Sequence, residues 1–402
     1  MKKKNLFFTV KLYMIALKTL QYNIYSTPLD NMFPAREKET FERIKYIKNL
    51  VQKINTVDII TLNESHGKKT TSWLLQGLKK EGFKYNTNIL GETKKLTTCK
   101  TCNRNQANFL SLGIINGGVV IISKHPIIRE CEFIFKNYRT FLHRPSTATA
   151  DCLARKGCLF AKIKIQNKFI VNIIATHLQA WPGKVFDKVR LKQLKEIRFF
   201  VNKLKKNKII QAHEPIIYQG DFNIDYYKYK NTLSRMCYIL NAKIPKIIGN
   251  HIFSSDPTSN YLVETVGWNA PIKISNLITN WKRKIFNKTR KKRQCKHFIP
   301  LKKIINNLTR KINKYAKYYK DFEEGICQIS KRVKLDNECY SKYSRSELLD
   351  YILYDVDNLI PDKSSITIID PKEHLDTKKE ISDHYPLFAE FVFCIKNFKK
   401  KL

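Results

Sequence analysis

Short β-branched runs alternate with longer segments of helical periodicity through the first two-thirds of the chain, and this alternation leaves few architectures open. TLQYNIY, DIITL, GGVVIIS, FIVNIIATHL and PIIYQGDFNI have the length and composition of buried strands. Between them, Phe41, Ile44, Ile47, Leu50, Val51 and Ile54 recur at three- and four-residue steps from Glu37 to Asn55. Leu191, Leu194, Ile197, Val201 and Leu204 do the same from Asp187 to Asn207. Each set makes one apolar stripe on a helix, and such a stripe is buried against a sheet. The expectation is a layered α/β domain, for which 402 residues are ample.

The alternation stops after Gly267. From there to Ser344 the chain is rich in Lys and Arg, most densely in WKRKIFNKTRKKRQCK, and strand signals return only at LLDYILY and FAEFVF. Within this basic stretch Leu301, Ile304, Ile305, Leu308, Ile312, Tyr315, Ala316 and Tyr319 fall on one face of a helix, with lysines on the rest. Such a helix either docks on the protein or lies in a membrane interface. The start, MKKKNLFFTVKLYMIAL, has the basic end and apolar body of a signal or anchor, but Lys11 interrupts it well short of the roughly 20 residues that span a bilayer. No later stretch resembles a transmembrane helix. The ten cysteines are too sparse for a disulfide framework, and the one CxxC, Cys99 and Cys102, has no second pair with zinc-ligand spacing.

Five polar islands stand at the ends of apolar strands, where open sheets place their sites. They are YNIYS with Asn23, TLNES with Glu64, ATHLQA with His177, GDFNID with Asp221 and Asn223, and SDHYPL with Asp383 and His384. Singly, each is an ordinary turn or core residue. Together they supply what hydrolysis of a phosphodiester needs: charge neutralisation, a general base and stabilisation of the leaving alkoxide. Asn23 and Glu64 are hard oxygen ligands suited to Mg²⁺ or a similar ion such as Mn²⁺. His384 can take a proton from water if Asp383 or another carboxylate orients it. His177 and Asn223 can bond the non-bridging oxygens, and Asp221 can ligate a metal or handle a proton.

In that order, Asn, Glu, THL, GDFN and SDHYP resemble the endonuclease/exonuclease/phosphatase superfamily from about Leu17 to Val392, the basic stretch apart. The resemblance implies a four-layer α/β/β/α sandwich with two packed mixed sheets and the site at one end of them. It also divides the chain into a leader (1–16), a first catalytic part (17–267), a basic helical insertion (268–344) and closing strands (345–402). NGGVVIISKHPI, ADCLARKGCLFAKIKI, ATHLQA and VRLKQLKEI are similar to the sphingomyelinase branch. That similarity implies a metal-dependent enzyme releasing phosphocholine from sphingomyelin or a related choline lipid, with Asp151 and Lys156 as a substrate-facing pair. The aromatic-tipped hairpin of the secreted bacterial enzymes is replaced by the polar PKEHLDTKKEI.

With 75 Lys and Arg against 34 Asp and Glu the formal charge is +41, which draws the chain to polyanions. An anionic phospholipid surface is therefore the expected partner of a monomer, and a Mg-dependent nuclease is the alternative. All five islands are intact, which speaks against a catalytically dead binding module. The compartment stays open between membrane surface, secretion and the cell interior.

Overall fold

The structure, a computed structural model, describes residues 8–26, 34–92, 115–137, 154–166, 169–180, 184–256, 259–260, 262, 346–375 and 380–400. Asp151, the CKTC stretch and the 268–344 insertion with its apolar stripe lie outside them. The described strands form two mixed sheets. Across the first run β10 (Lys246–Ile248), β12 (Lys363–Ile368), β13 (Leu387–Lys400), β1 (Phe8–Ser26), β2 (Ile59–Ser65), β4 (Val120–Ser123) and β3 (Tyr85–Asn86). Across the second run β5 (Ile127–Ile134), β6 (Gly157–Gln166), β7 (Phe169–His177), β8 (Ile216–Asp221), β11 (Asp350–Asp355) and β9 (Ala242–Lys243). β1 is parallel to β2 and antiparallel to β13, while β7 and β8 are parallel.

Three apolar layers follow from the strand alternation and the helix stripes. Leu17, Ile59, Ile121, Ala161, Ile173, Ile217, Ile352 and Phe391 fill the space between the sheets. On the outer side of the first sheet, Leu20, Tyr22 and Leu62 pack with Ile44, Ile47 and Leu50 of α1 (Pro34–Ile54) and with Leu74 and Leu78 of α2 (Lys68–Lys80). Outside the second sheet, Ile174, Tyr218 and Leu353 pack with Leu194, Ile197 and Val201 of α3 (Lys184–Lys206) and Met236 of α4 (Lys230–Leu240). A short α5 (Pro371–His374), capped by the Asp370 side chain, precedes the last strand. Helix, sheet, sheet and helix are the expected four layers. Among the described residues no helix is long and apolar enough to cross a membrane.

β1 begins at Phe8, so residues 8–16, grouped with a leader on sequence, are paired along β13. The local pattern accounts for this. Met14 is 77% exposed and Ile15 only 8%, the alternation of a strand with one wet face.

The inner face of each central strand changes character along its length. On β1 it runs Ile15, Leu17, Thr19, Gln21, Asn23; on β2, Ile59, Thr61, Asn63; on β8, Ile217, Gln219, Asp221. The polar ends meet across the sandwich. Thr19 Oγ1 donates to Gln219 Oε1 at 2.7 Å, Gln219 to Thr61 Oγ1, and Gln21 Nε2 to Asn63 Oδ1 at 2.7 Å and to Asp350 Oδ1 at 2.9 Å. Buried polar groups are tolerated when paired in this way, and the pairing fixes register, although Gln21 Oε1 is buried without a partner. One end of the sandwich is thereby greasy and the other rigidly polar.

β7 and β8 approach closely beneath that polar end. Gly220 has φ +150°, and a Cβ there would lie 1.9 Å from the Thr176 carbonyl oxygen. Both backbones are fixed by the sheet, so neither can yield cheaply. Gly220→Ala is expected to lower the unfolding free energy by more than about 3 kcal/mol in denaturant titration; a loss under about 1 kcal/mol would show that the strands can separate there.

Candidate active site

The five islands converge at the polar end of the sandwich. Asn23 ends the inner face of β1, His177 is the last residue of β7 and Asp221 the last of β8, opposite each other in register. Asp350 opens β11 across from Asp221. Glu64 lies out of step, because Asn63 occupies the inward position on β2. A left-handed backbone at Glu64, φ 55°, turns the side chain inward, where its Oε1 accepts from Asn23 Nδ2 at 3.1 Å. Such a conformation costs a non-glycine residue about 1–3 kcal/mol and persists only where the surroundings over-determine it. Here Ser65 N donates to Gly118 O at 2.8 Å and His66 N to Ser26 O at 3.2 Å, holding both sides of the turn.

His384 finds its orienting carboxylate in Asp350, not in its neighbour Asp383. Nδ1 lies 2.6 Å from Asp350 Oδ2, and Nε2 faces Asp221 Oδ2 at 4.0 Å. Ser382 seats the turn, its Oγ donating to Asn23 O at 2.6 Å and accepting from His384 N at 3.2 Å. Burial alone would push the imidazole's pKa down, but Asp350, then Asp383 and Asp221, hold it well above its ordinary value.

Around this pair the remaining polar groups close in. Asn23 Nδ2 also donates to Asp221 Oδ2 at 3.2 Å, and Asn223, itself left-handed with φ 52°, donates its backbone N–H to Asp221 Oδ1 at 2.9 Å. His177 Nε2 is 3.4 Å from Asp221 Oδ2, and burial followed by the charge of Lys156 keeps it neutral, well below its ordinary pKa. Lys156, expected on a substrate-facing loop, is buried at the start of β6 and donates to Leu178 O at 2.8 Å; Asn223 Nδ2 reaches the same carbonyl at 3.4 Å. Asp383 is half-buried beside Ser382, with its pKa raised by burial.

The family described as Endonuclease/Exonuclease/phosphatase matches residues 20–384, a span that begins just before Asn23 and ends on His384. The chain belongs to this family. A sphingomyelinase C of Bacillus cereus is 31% identical over 260 residues, covering 62% of this chain and 70% of that protein. A phospholipase C of Staphylococcus aureus is 28% identical over 256 residues, 62% of this chain and 68% of that protein. Two crystal structures share the fold. A beta toxin variant from Staphylococcus aureus with bound magnesium ions has a TM-score of 0.59 at 21% identity, covering 93% of this chain and 99% of that one. SmcL has a TM-score of 0.59 at 19% identity, covering 94% and 99%. As a member of the family with such relatives, the protein is a phosphodiesterase.

The donor chemistry fits a hard divalent cation. Burial, then the charge of Asp383, pushes the Glu64 carboxyl up to about 8, and burial, then Asp350, pushes Asp221 up to about 7. His384 and Lys156 offset these shifts only in part, and a divalent ion would supply the further positive charge. Asn23, Glu64 and Asp221 meet there and could hold the ion if the Asn23 amide turned, since its Nδ2 faces both carboxylates and its Oδ1 accepts from Tyr25 N at 3.2 Å. A second grouping, Asp221, Asp350 and His384, brings its ligand atoms within 4.8 Å of one another, but Asp350 and His384 are already bonded there.

Proposed function

We propose that the protein hydrolyses sphingomyelin, or a related choline phospholipid, to ceramide or a diacyl lipid and phosphocholine, and that it needs Mg²⁺ or another hard divalent ion to do so. The observation that carries this reading is the 31% identity with a sphingomyelinase C over 260 residues, in a chain whose polar strand ends meet as described. Asn23, Glu64 and Asp221 would hold the cation. A bound ion supplies charge neutralisation at the phosphate and acidifies water nearby.

The chain's own residues do the rest. In its neutral form His384 takes the proton of the attacking water on Nε2, while Asp350 fixes the ring through Nδ1 and stabilises the imidazolium that forms. Water oxygen bonds to phosphorus as the bond from phosphorus to the lipid oxygen breaks, and the departing oxygen takes up a proton from solvent, balancing the one held by His384. His177, neutral, and the Asn223 amide donate to the non-bridging oxygens as their charge grows. Asp383 adds negative charge beside His384 and Glu64. Lys156 lends a positive charge at the phosphate, and Asp151, its partner in the DCLARKG segment, is assigned to the same substrate loop.

Lys156→Ala is expected to cut turnover about 10–100-fold without weakening metal binding, since removing a cation from beside two carboxylates favours a second cation. Isothermal titration with Mg²⁺ beside phosphocholine release separates the two effects. Unchanged turnover would reduce Lys156 to a structural tether on Leu178. The function itself is tested by offering sphingomyelin, phosphatidylcholine, a phosphoinositide and plasmid DNA side by side, with Mg²⁺ and with chelator. Phosphocholine release is the expected result, and salt-sensitive DNA cleavage in its place would make the enzyme a nuclease.

A further inference from the structure

Beside the catalytic end the chain exposes a patch that the chemistry above does not use. The segment after Asn223 reads Asp225-Tyr226-Tyr227-Lys228-Tyr229-Lys230. Asp225, buried, accepts the backbone N–H of Tyr227 at 2.9 Å and of Lys228 at 3.4 Å, so the loop folds back on its own carboxylate and turns Tyr227 outward. Tyr227 meets Tyr226 edge-on at 5.0 Å and Phe253 at 5.3 Å, and its hydroxyl donates to Ile252 O at 3.2 Å. Ile252 is 44% exposed and Tyr227 37%. Lys228 is anchored to Asp225 and Glu347, while Lys230, at the start of α4, faces solvent.

This patch is fixed to the reacting groups. Ser254, next to Phe253, accepts the N–H of Leu349 at 3.0 Å and of Asp350 at 3.3 Å through its Oγ. Its carbonyl accepts the N–H of Tyr385, the residue after His384, at 2.7 Å. The apolar corner therefore sits on the rim of the end where His384 and Asp350 meet.

We propose that Tyr227, Ile252 and Phe253, flanked by Lys228 and Lys230, form the surface on which the enzyme seats against a phospholipid bilayer. The proposal rests on the phospholipid reading. The scissile bond of a bilayer lipid lies at headgroup depth, so the catalytic end must face the membrane and its rim must enter the headgroup layer. A tyrosine with an apolar body and a polar tip suits that layer, as does an exposed isoleucine at the acyl boundary. Lys230, which faces solvent, complements the lipid phosphates and reaches them with its long stem, while Lys228 stays with Asp225 and Glu347. The rim holds this shape through the Asp225 turn and the Ser254 bonds, so it is preorganised to dock.

The test uses the full chain with His384→Ala, which leaves the lipid intact, sedimented with vesicles of phosphatidylcholine and phosphatidylserine. Adding Tyr227→Ser and Ile252→Ser is expected to lower the partition coefficient about tenfold, from the apolar area withdrawn from the interface. With His384 restored, hydrolysis of sphingomyelin in bilayers should fall in step, and hydrolysis in detergent micelles should hold. Ile252→Ser alone, which spares the tyrosine hydroxyl bond, should lose about threefold in partition and guards against an unfolded double variant. Equal partition with and without the substitutions would overturn the proposal, as would a matching loss on micelles. If the unaltered enzyme releases phosphocholine from no lipid in any form, the proposed function falls, while vesicle sedimentation still decides the rim.

Discussion

His384→Ala is expected to slow phosphocholine release by about 10²–10⁴-fold, and Asp350→Asn by a similar factor, while circular dichroism and melting temperature stay near those of the unaltered enzyme. The ground is the 2.6 Å bond from His384 Nδ1 to Asp350 Oδ2, which leaves Nε2 as the nitrogen that faces Asp221 and the reacting atoms. If the two residues act as one unit, the double variant is no slower than the worse single one, because a ring that cannot be oriented and a ring that is missing lose the same step. Asp350→Asn has a second readout. With the first of the carboxylates that raise the imidazole pKa made neutral, the His384 ring should titrate lower by NMR. A wild-type rate in His384→Ala would remove it as the base. Losses that multiply in the double variant would mean that Asp350 acts elsewhere, for instance on Gln21, which it also accepts at 2.9 Å.

Asp350 shows where the sequence stopped being legible. LLDYILY reads plainly as the strand before the last motif, yet the nearest acid in sequence to His384 is Asp383, and proximity along the chain points to the wrong orienter. Only the antiparallel pairing of β11 with β8, which sets Asp350 opposite Asp221, brings the right one within reach. That pairing spans the basic insertion and has no local signal. The polar lattice beneath the site was readable in principle. Stepping back by two from Asn23 gives Gln21 and Thr19, and from Asp221 it gives Gln219, so the inward faces announce themselves once one inward residue is known. Glu64 breaks that rule. Its parity on β2 is that of an outward residue, and the left-handed turn that brings it in is a product of the surrounding bonds from Gly118 and Ser26.

The layers were more accessible than the site. The stripes expected on α1 and α3 are the faces now buried against the two sheets, since a 3.6-residue period needs no tertiary information to be seen. Lys156 was harder. In isolation DCLARKG looks like a surface loop, but the lysine is buried just ahead of β6, and its amine bonds the carbonyl of Leu178, the residue after His177. A buried charge so close to two acids contributes to the field of the site as well as to any contact with phosphate.

Removing divalent ions should abolish activity, with Mg²⁺ restoring it, and Glu64→Gln should both lower turnover by about 10²–10³-fold and raise the Mg²⁺ concentration needed for half of the remaining rate. The same carboxylate gives a stability readout that does not depend on catalysis. Burial and Asp383 raise its folded pKa from an ordinary 4.5 to about 8, so in metal-free protein the folded state holds this proton more tightly than the unfolded state. The stability that the proton brings is fully present below about 4.5 and is lost as pH rises toward about 8, above which the ionised group opposes folding. Two outcomes follow near pH 8. Metal-free Glu64→Gln, which carries no such charge, should melt higher than metal-free wild type. Added Mg²⁺ at about 100 times its dissociation constant should stabilise wild type by about 2.7 kcal/mol, and Glu64→Gln by much less at the same concentration. Scanning calorimetry across pH 5–8, with chelator and with Mg²⁺, measures both. Equal gains from Mg²⁺ in the two proteins would place the cation away from Glu64, and full turnover in excess chelator would end the metal-dependent reading of this site.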